Sequence, residues 1–560
     1  MLTRAQALQQ LIGPGGDFEL VPEIREDRSP LRVYATGYKT MREVLLASRA
    51  FGEREFLIYE EERLTYAEHY LRVAQLACWL LDQGIQKGDR VGICMRNYPE
   101  WSITFFACQA IGAVAVTLNA WWIGKELVYG ISDSGCRLAV VDDERYARLE
   151  PVLQELPGLK ILVARDDVGT REVALWEDAL RSQGGVTELP DVDVRPSDIA
   201  SIMYTSGTTG FPKGALHTHR NHVTNIHNMS LNAALAQAQL PAAAADAAPP
   251  PTPIALQTFP FFHIGGLSGL YITAVSGGKL VLMYKWDVDR ALELIQREGV
   301  MGWSAVPTLV RELLESPNAR AEVLASVVSI GSGGAPVPAD LINQIGERFQ
   351  TRVAPGNGYG ATETTSAIIV NGGADYFARP GSVGRPVATL DVRIVDDDSQ
   401  DCGTGVIGEL WVRGPNIFEG YWNNPEETEA AFSDGWFKTG DLGYVDEEGF
   451  YYIVDRKKDV IIRAGENVYC AEVEGVLHEH PDVVDVALIG LPHRSLGEEV
   501  AAVVELKPGA QVSEVDIQNH VAERIARYNV PSKVFFTADP LPRTATGKIL
   551  KRDLKLRYGG

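Results

Sequence analysis

The sequence predicts an α/β protein: a large, multi-layer N-terminal α/β domain followed by a small C-terminal α+β domain. Three observations lead there. At 560 residues and 61.2 kDa, with 45% hydrophobic and 22% charged residues, the chain has ordinary globular composition and is too long for one core. Apolar β-rich runs alternate with amphipathic segments through most of the chain, the rhythm of helices layered on sheets. From Arg393 onward this gives way to short strands and turns, then to a second small α/β pattern and a basic tail. No fixed-period repeat stands out, which disfavours solenoids and propellers.

Taken in order, Ala67 to Gln83 reads as an amphipathic helix and Arg90 to Cys94 as a buried strand. Trp101 to Gly124 carries no formal charge and is long enough to span a membrane. Thr104, Gln109, Gly112, Thr117 and Asn119 interrupt it, and its change from a helix-like part (Thr104 to Ile111) to a β-rich part (Ala113 to Leu118) predicts a buried helix–strand unit instead. Ala139 to Val141, Lys160 to Val163, Lys279 to Met283 and Val327 to Ser329 read as further strands, and Val288 to Arg297 as a helix. Ala233 to Pro253, rich in Ala, Gln and Pro, reads as a mobile surface insertion without chemistry. Near the end, Ile407 to Arg413 and Gly449 to Asp459 bring strands, and the boundary is placed at residues 455–458, dividing the chain into 1–454, a hinge, and 459–560.

A formal charge of −22 and a pI near 5.0 repel nucleic acid and anionic membrane surfaces alike, so any anionic ligand needs local positive charge. Six widely spaced cysteines with no C-x-x-C pair fit a reducing cytoplasm. The first residues carry no secretory signal pattern. No heptad pattern signals pairing of chains, and a homodimer stays open.

The densest chemistry lies in Tyr204-Thr-Ser-Gly-Thr-Thr-Gly-Phe-Pro-Lys-Gly214. Its glycines (Gly207, Gly210, Gly214) let the backbone turn and bring N–H groups to anionic oxygens, Thr205, Ser206, Thr208 and Thr209 offer hydroxyls, and Lys213 supplies charge. A polyphosphate such as ATP fits. Pro212 before the lysine and Gly214 after it separate the loop from the G-x-x-x-x-G-K-[ST] type. Five companions follow: Phe259-Pro-Phe-Phe-His-Ile-Gly-Gly266; Asn357-Gly-Tyr-Gly-Ala-Thr-Glu363; Thr439-Gly-Asp-Leu-Gly443; Asp455-Arg-Lys-Lys-Asp459 with Arg463-Ala-Gly-Glu-Asn467; and Pro542-Arg-Thr-Ala-Thr-Gly-Lys548.

In this order the motifs closely resemble those of the adenylate-forming superfamily, which includes the acyl-CoA synthetases, over most of the chain. The resemblance implies an acid–thiol ligase that uses ATP, Mg²⁺ and coenzyme A and acts on a small carboxylic acid, and a C-terminal domain that rotates between two half-reactions. It implies roles for residues that match. Lys548 is the catalytic lysine, with Lys213 and His263 beside the reacting groups. Thr205, Ser206, Gly207, Thr208, Thr209 and Gly210 hold phosphates. Gly333, Gly334, Ala335 and Pro336, then Asn357, Gly358, Tyr359 and Gly360, face the nucleotide, Tyr359 stacking on adenine and Thr362 touching the α-phosphate. Glu363 binds the metal, Asp441 and Arg456 the ribose. Lys458 is the hinge residue, and Arg463, Ala464 and Gly465 line the tunnel for the pantetheine arm. Phe261, His263, Ile264, Gly265, Gly333 and Gly358 border the acyl group. Asn357 and Ala361 depart from the Gln and Met common there.

The small apolar residues of that border predict an apolar fatty or aryl carboxylate. Two other readings compete: a stand-alone adenylation enzyme that loads a carrier protein or an amine, and a nucleotide-binding regulator without turnover. Six basic residues (Arg543, Lys548, Lys551, Arg552, Lys555 and Arg557) against the single acid Asp553 mark the tail as a solvated face or as charge reserved for a polyanion.

Overall fold

A computed structural model describes residues 2–25, 28–166, 173–205, 212–239, 251–544 and 547–559. Two large sheets form the N-terminal part. In one, strands Arg90–Cys94, Val114–Thr117, Cys136–Asp142, Lys160–Ala164 and Ile199–Thr205 run parallel, and Lys213–Thr218 turns back antiparallel along Ile199–Thr205. In the other, Lys279–Leu282, Ile254–Gln257, Gly302–Ala305, Ser329–Gly333 and Ala354–Ala361 are parallel neighbours, closed by antiparallel Ser366–Gly372.

Helices Tyr66–Asp82, Pro99–Ile111 and Ile264–Ser276 are sandwiched between the sheets, because one apolar cluster joins Val91 and Leu138 of the first sheet to Leu57 and Leu280 of the second. Every residue of Pro99–Ile111 is buried, which explains why the stretch from Trp101 to Gly124 lacks charge without being a membrane segment. Among the described residues no helix is long and apolar enough to cross a membrane.

A third, antiparallel sheet holds Asp391–Val395, Gly408–Arg413, Trp436–Val445 and Tyr451–Arg456. The C-terminal part packs helices Cys470–His478, Glu514–Ala522 and Lys551–Tyr558 on a sheet built around the long pair Val483–His493 and Gly497–Leu506.

Two sequence expectations shift. The strand expected at Val327 to Ser329 begins only at Ser329 and runs on to Gly333. Its Gly-Ser-Gly end has little β-propensity and is drawn into the sheet by strands pairing on both sides, Gly302–Ala305 and Ala354–Ala361. The insertion expected from Ala233 is helical at first, since helix His219–Ala238 continues through its Ala- and Gln-rich start; residues 240–250 lie outside the described residues.

Candidate active site

The site lies at the carboxyl ends of parallel strands, where open α/β sheets bind ligands. Thr205 and Lys213 face each other as the last register pair of an antiparallel hairpin, and the Thr205 hydroxyl donates to the Lys213 carbonyl at 3.4 Å. Ser206, Gly207, Thr208, Thr209 and Gly210 lie outside the described residues. The Lys213 ammonium is 2.5 Å from the Glu427 carboxylate and 5.2 Å from the Tyr421 ring centre. The Tyr421 hydroxyl donates to Glu363 Oε1 at 2.8 Å, and burial together with the Glu363 charge pushes that phenol upward, so it stays a donor.

Three distant segments therefore meet at one corner. Tyr421 arrives on the short strand Gly420–Tyr421, which adds to the hairpin at Ala215. Glu427 sits in the first turn of helix Pro425–Ala431, capped by Asn424. Glu363 follows strand Ala354–Ala361 in a 3-10 turn whose Thr362 carbonyl accepts from His217 Nε2 at 2.7 Å. Burial lowers His217 to about 4 and keeps it neutral. Among the described residues no group of three His, Cys, Asp or Glu side chains forms a metal cage. One carboxylate, Glu363, still suits Mg²⁺, which keeps water and shares phosphate oxygens rather than seeking an all-protein cage.

The side expected to face the nucleoside rests on the parallel pairing of Gly333 with Gly358 and of Ser332 with Asn357. A Cβ on Gly333 would come within 3.0 Å of the Gly358 carbonyl oxygen, and Gly334 has φ +77°. Ala335 and Pro336 continue past the strand end, with Pro336 exposed. Gly360 carries Tyr359 into the antiparallel turn toward Ser366. The Tyr359 hydroxyl donates to Asp441 Oδ2 at 2.6 Å, and burial, then the Asp441 charge, raise the phenol far above its ordinary range. Asp441 is buried and register-paired with Arg456, whose Nε lies 3.4 Å from Asp441 Oδ1. Tyr359 thus orients the acid expected at the ribose, a contact the sequence did not signal.

Lys548 belongs to the C-terminal part but is docked against the N-terminal one. A Cβ added to its neighbour Gly547 would sit 3.0 Å from the Val306 side chain. The Lys548 backbone is held by Thr544, whose N–H donates to the Lys548 carbonyl at 2.7 Å. Burial pushes the Lys548 amine down to about 7; Arg456 and Lys458 push the same way, against Asp441 and Asp459. Lys548, Asp441, Arg456 and Lys458 are therefore brought together. The tail is only in part a solvated face: Arg543 pairs with Asp485 and Lys551 lies 2.7 Å from Glu474, whereas Arg552 and Arg557 are exposed.

His263 caps helix Ile264–Ser276, its Nδ1 accepting the Gly265 N–H at 3.2 Å. That bond assigns the ring proton to Nε2, and burial holds the imidazole neutral at about 4. The ring stacks on Phe259 with centroids 5.9 Å apart. Ile264 is buried at the start of the helix. Phe261 is wholly buried against Trp101 and backs the loop from behind.

Arg463, Ala464 and Gly465 are not brought to this cluster. Ala464 (φ +53°) and Gly465 (φ +90°) form the two-residue turn of the hairpin Ile461–Arg463 and Glu466–Val468, and both are exposed. Arg463 donates to the Tyr528 carbonyl at 2.8 Å, within the C-terminal part. A Cβ on Gly465 would meet nothing within 4 Å. Its glycine is explained here by the turn and not by a close passage.

Sequence reasoning missed Tyr421 and Glu427. Asn424-Pro425-Glu426-Glu427 reads as a capped helix start, and nothing in it says that the acid faces Lys213.

The family model described as "AMP-binding enzyme" matches residues 46–422, and the model "AMP-binding enzyme C-terminal domain" matches residues 472–548. Feruloyl-CoA synthase of an Amycolatopsis species is 35% identical over 497 residues, covering 89% of this chain and 94% of that protein. Long-chain-fatty-acid–CoA ligase FadD13 of Mycobacterium tuberculosis is 34% identical over 503 residues, 89% of this chain and 93% of that one. The fold matches o-succinylbenzoate CoA synthetase (MenE) from Bacillus subtilis bound to its acyl-adenylate intermediate, with TM-score 0.77, 32% identity, and 91% of this chain and 97% of that chain covered. The same enzyme has also been solved with ATP and a magnesium ion.

Proposed function

Because the chain belongs to the AMP-binding enzyme family, we propose that it is an ATP-dependent, AMP-forming carboxylic acid–CoA ligase. The observation that carries the reading is the docking of Lys548 beside Asp441 and Arg456, a cation from the C-terminal part set against a ribose-type acceptor of the N-terminal part.

In the first half-reaction a substrate carboxylate oxygen bonds to the α-phosphorus of ATP, and the bond to the β-phosphate breaks, releasing pyrophosphate. Lys213 and the hydroxyls beginning at Thr205 hold the outgoing phosphates. Asp441 accepts the ribose hydroxyls while Tyr359 and Arg456 fix its orientation. The His263 Nε2–H donates to the carboxylate, and Lys548 faces the oxygens on which charge builds. Mg²⁺, when bound through Glu363, neutralises phosphate charge.

In the second half-reaction the CoA thiol gives up its proton to solvent and its sulfur bonds to the acyl carbon, while the acyl carbon–oxygen bond breaks and AMP leaves with the former anhydride oxygen. Rotation at residues 455–458, pivoting near Lys458, exchanges Lys548 for the Arg463-Ala464-Gly465 turn. The exposure of that turn while Lys548 is docked supports this reading. The acyl group lies along Ile264, Gly265, Gly333 and Gly358, a border that suits an apolar or aryl carboxylate. Six unpaired cysteines support a reducing cytoplasm.

Pyrophosphate release from ATP and Mg²⁺, measured across fatty, aryl and short-chain acids with and without CoA, tests the reading once products are identified by mass. Acid-dependent release with an acyl-CoA product is expected. Adenylate without thioester would move the acceptor to a carrier protein or amine, and nucleotide binding without release would leave a regulator.

A further inference from the structure

Helix His219–Ala238 carries an unusual buried face. Asn225 and Asn228 are at most 1% exposed, and Asn232 follows on the same side. At 100° and 1.5 Å per residue the three fall within about 60° of one another and extend about 10 Å along the axis. The carbonyl ends of the first two are committed: Asn225 Oδ1 accepts from Ser268 Oγ at 3.0 Å and Tyr271 Oη at 2.9 Å, and Asn228 Oδ1 from Tyr34 Oη at 2.8 Å and Thr389 Oγ1 at 3.0 Å. Two hydroxyls on each oxygen turn the amide nitrogen the other way. The Nδ2 groups of all three asparagines are buried and have no partner among the described residues. Folded chains keep few such groups, and a row of three on one helix face is a row of donors awaiting acceptors.

The row is tied to the reaction centre. Ser268 and Tyr271 lie on helix Ile264–Ser276, which His263 caps, and Met229, beside Asn228, packs in one apolar cluster with Tyr359 and Ile369. Through helix Ile264–Ser276 the stripe is joined to the His263 end of the site, and through Met229 its helix is joined to the Tyr359 side.

Resting on the ligase reading above, we propose that the acyl substrate is a carboxylic acid whose tail carries neutral oxygen substituents, hydroxyl, methoxy or keto, that accept hydrogen bonds from Asn225, Asn228 and Asn232. A plain hydrocarbon tail leaves the amides dry and unpaired. A second carboxylate lacks a counter-ion, since the groups meeting the stripe are the hydroxyls of Ser268, Tyr271, Tyr34 and Thr389.

The test uses the full chain and acids paired to differ only in oxygen: 3-phenylpropenoic acid against its 4-hydroxy and 4-hydroxy-3-methoxy forms, and octanoic against 8-hydroxyoctanoic acid. The oxygenated member is expected to show kcat/KM for pyrophosphate release at least about 10-fold higher, by loss of paired donors in its partner. Asn232→Leu, which removes an amide nitrogen without a partner among the described residues, should shrink that ratio at least about threefold through KM rather than kcat. Equal or better use of the unsubstituted acids overturns the proposal while leaving the ligase reading intact. No release with any acid overturns both.

Discussion

Two lysines from opposite ends of the fold, both assigned to the proposed site, stand in contrasting states. Lys213 stands on a strand of the large domain with the Glu427 carboxylate 2.5 Å away. Lys548 arrives on the tail and enters a setting where burial and two cations outweigh two acids, so its amine falls to about 7. One charge is matched by the fold that holds it. The other is matched only when an anion joins it, so substrate binding favours the docked tail as much as the docked tail favours the reaction.

The sharpest way to break this contrast is Lys548→Ala. Adenylation, read as acid-dependent pyrophosphate exchange, should fall about 100-fold or more, whereas thioester formation from supplied acyl-adenylate should be nearly unchanged. Equal loss of both half-reactions would make Lys548 structural. A pH series comes next. A lysine lowered to about 7 is protonated below that value, so kcat/KM for adenylation should decline as pH rises through about 7. Lys548→Arg should lose that decline, because a guanidinium stays charged.

Lys213→Gln should raise the KM for ATP about 10-fold without a new pH limb, on the scale of one charge-assisted hydrogen bond. Glu427→Gln should do the reverse and lower the KM a few-fold by releasing Lys213. Its cost in thermal stability should be small, since the pair is partly solvated at 17% and 37% exposure. The mildest change, Gly465→Ala, places a side chain at φ +90° and should cost about 1 kcal/mol in the C-terminal domain. It should slow thioester formation and spare adenylation; slowing of both would dissociate the turn from the second half-reaction.

Much of this was legible before the fold was known. Lys548, Asp441, Arg456 and Glu363 stand in short motifs whose residue types announce their chemistry, and the alternation of strand and helix announces layered sheets. What stayed hidden depends on closure over long distances. Glu427 reaches Lys213 only because Gly420–Tyr421 joins the hairpin edge, and the Tyr359–Asp441 bond needs two sheets to meet. The asparagine row was unreadable for another reason. Polar residues at helical spacing signal a solvated face, and only packing against Tyr34 and helix Ile264–Ser276 reveals that this one points inward. Val327 to Ser329 erred through propensity, which ranks Gly and Ser low however many neighbours pair with them.

Asp455, near the end of strand Tyr451–Arg456, accepts the backbone N–H groups of Cys470 and Ala471 at the start of the first C-terminal helix. A single carboxylate thus rivets the last strand of one body to the first helix of the other, within three residues of Lys458. A joint fastened that close to its axis can twist but hardly slide. In the proposed rotation, the tail lysine and the Ala464–Gly465 turn then behave as the two ends of a rocker: lifting one out of the site lowers the other toward it, and the enzyme cannot present both chemistries at once.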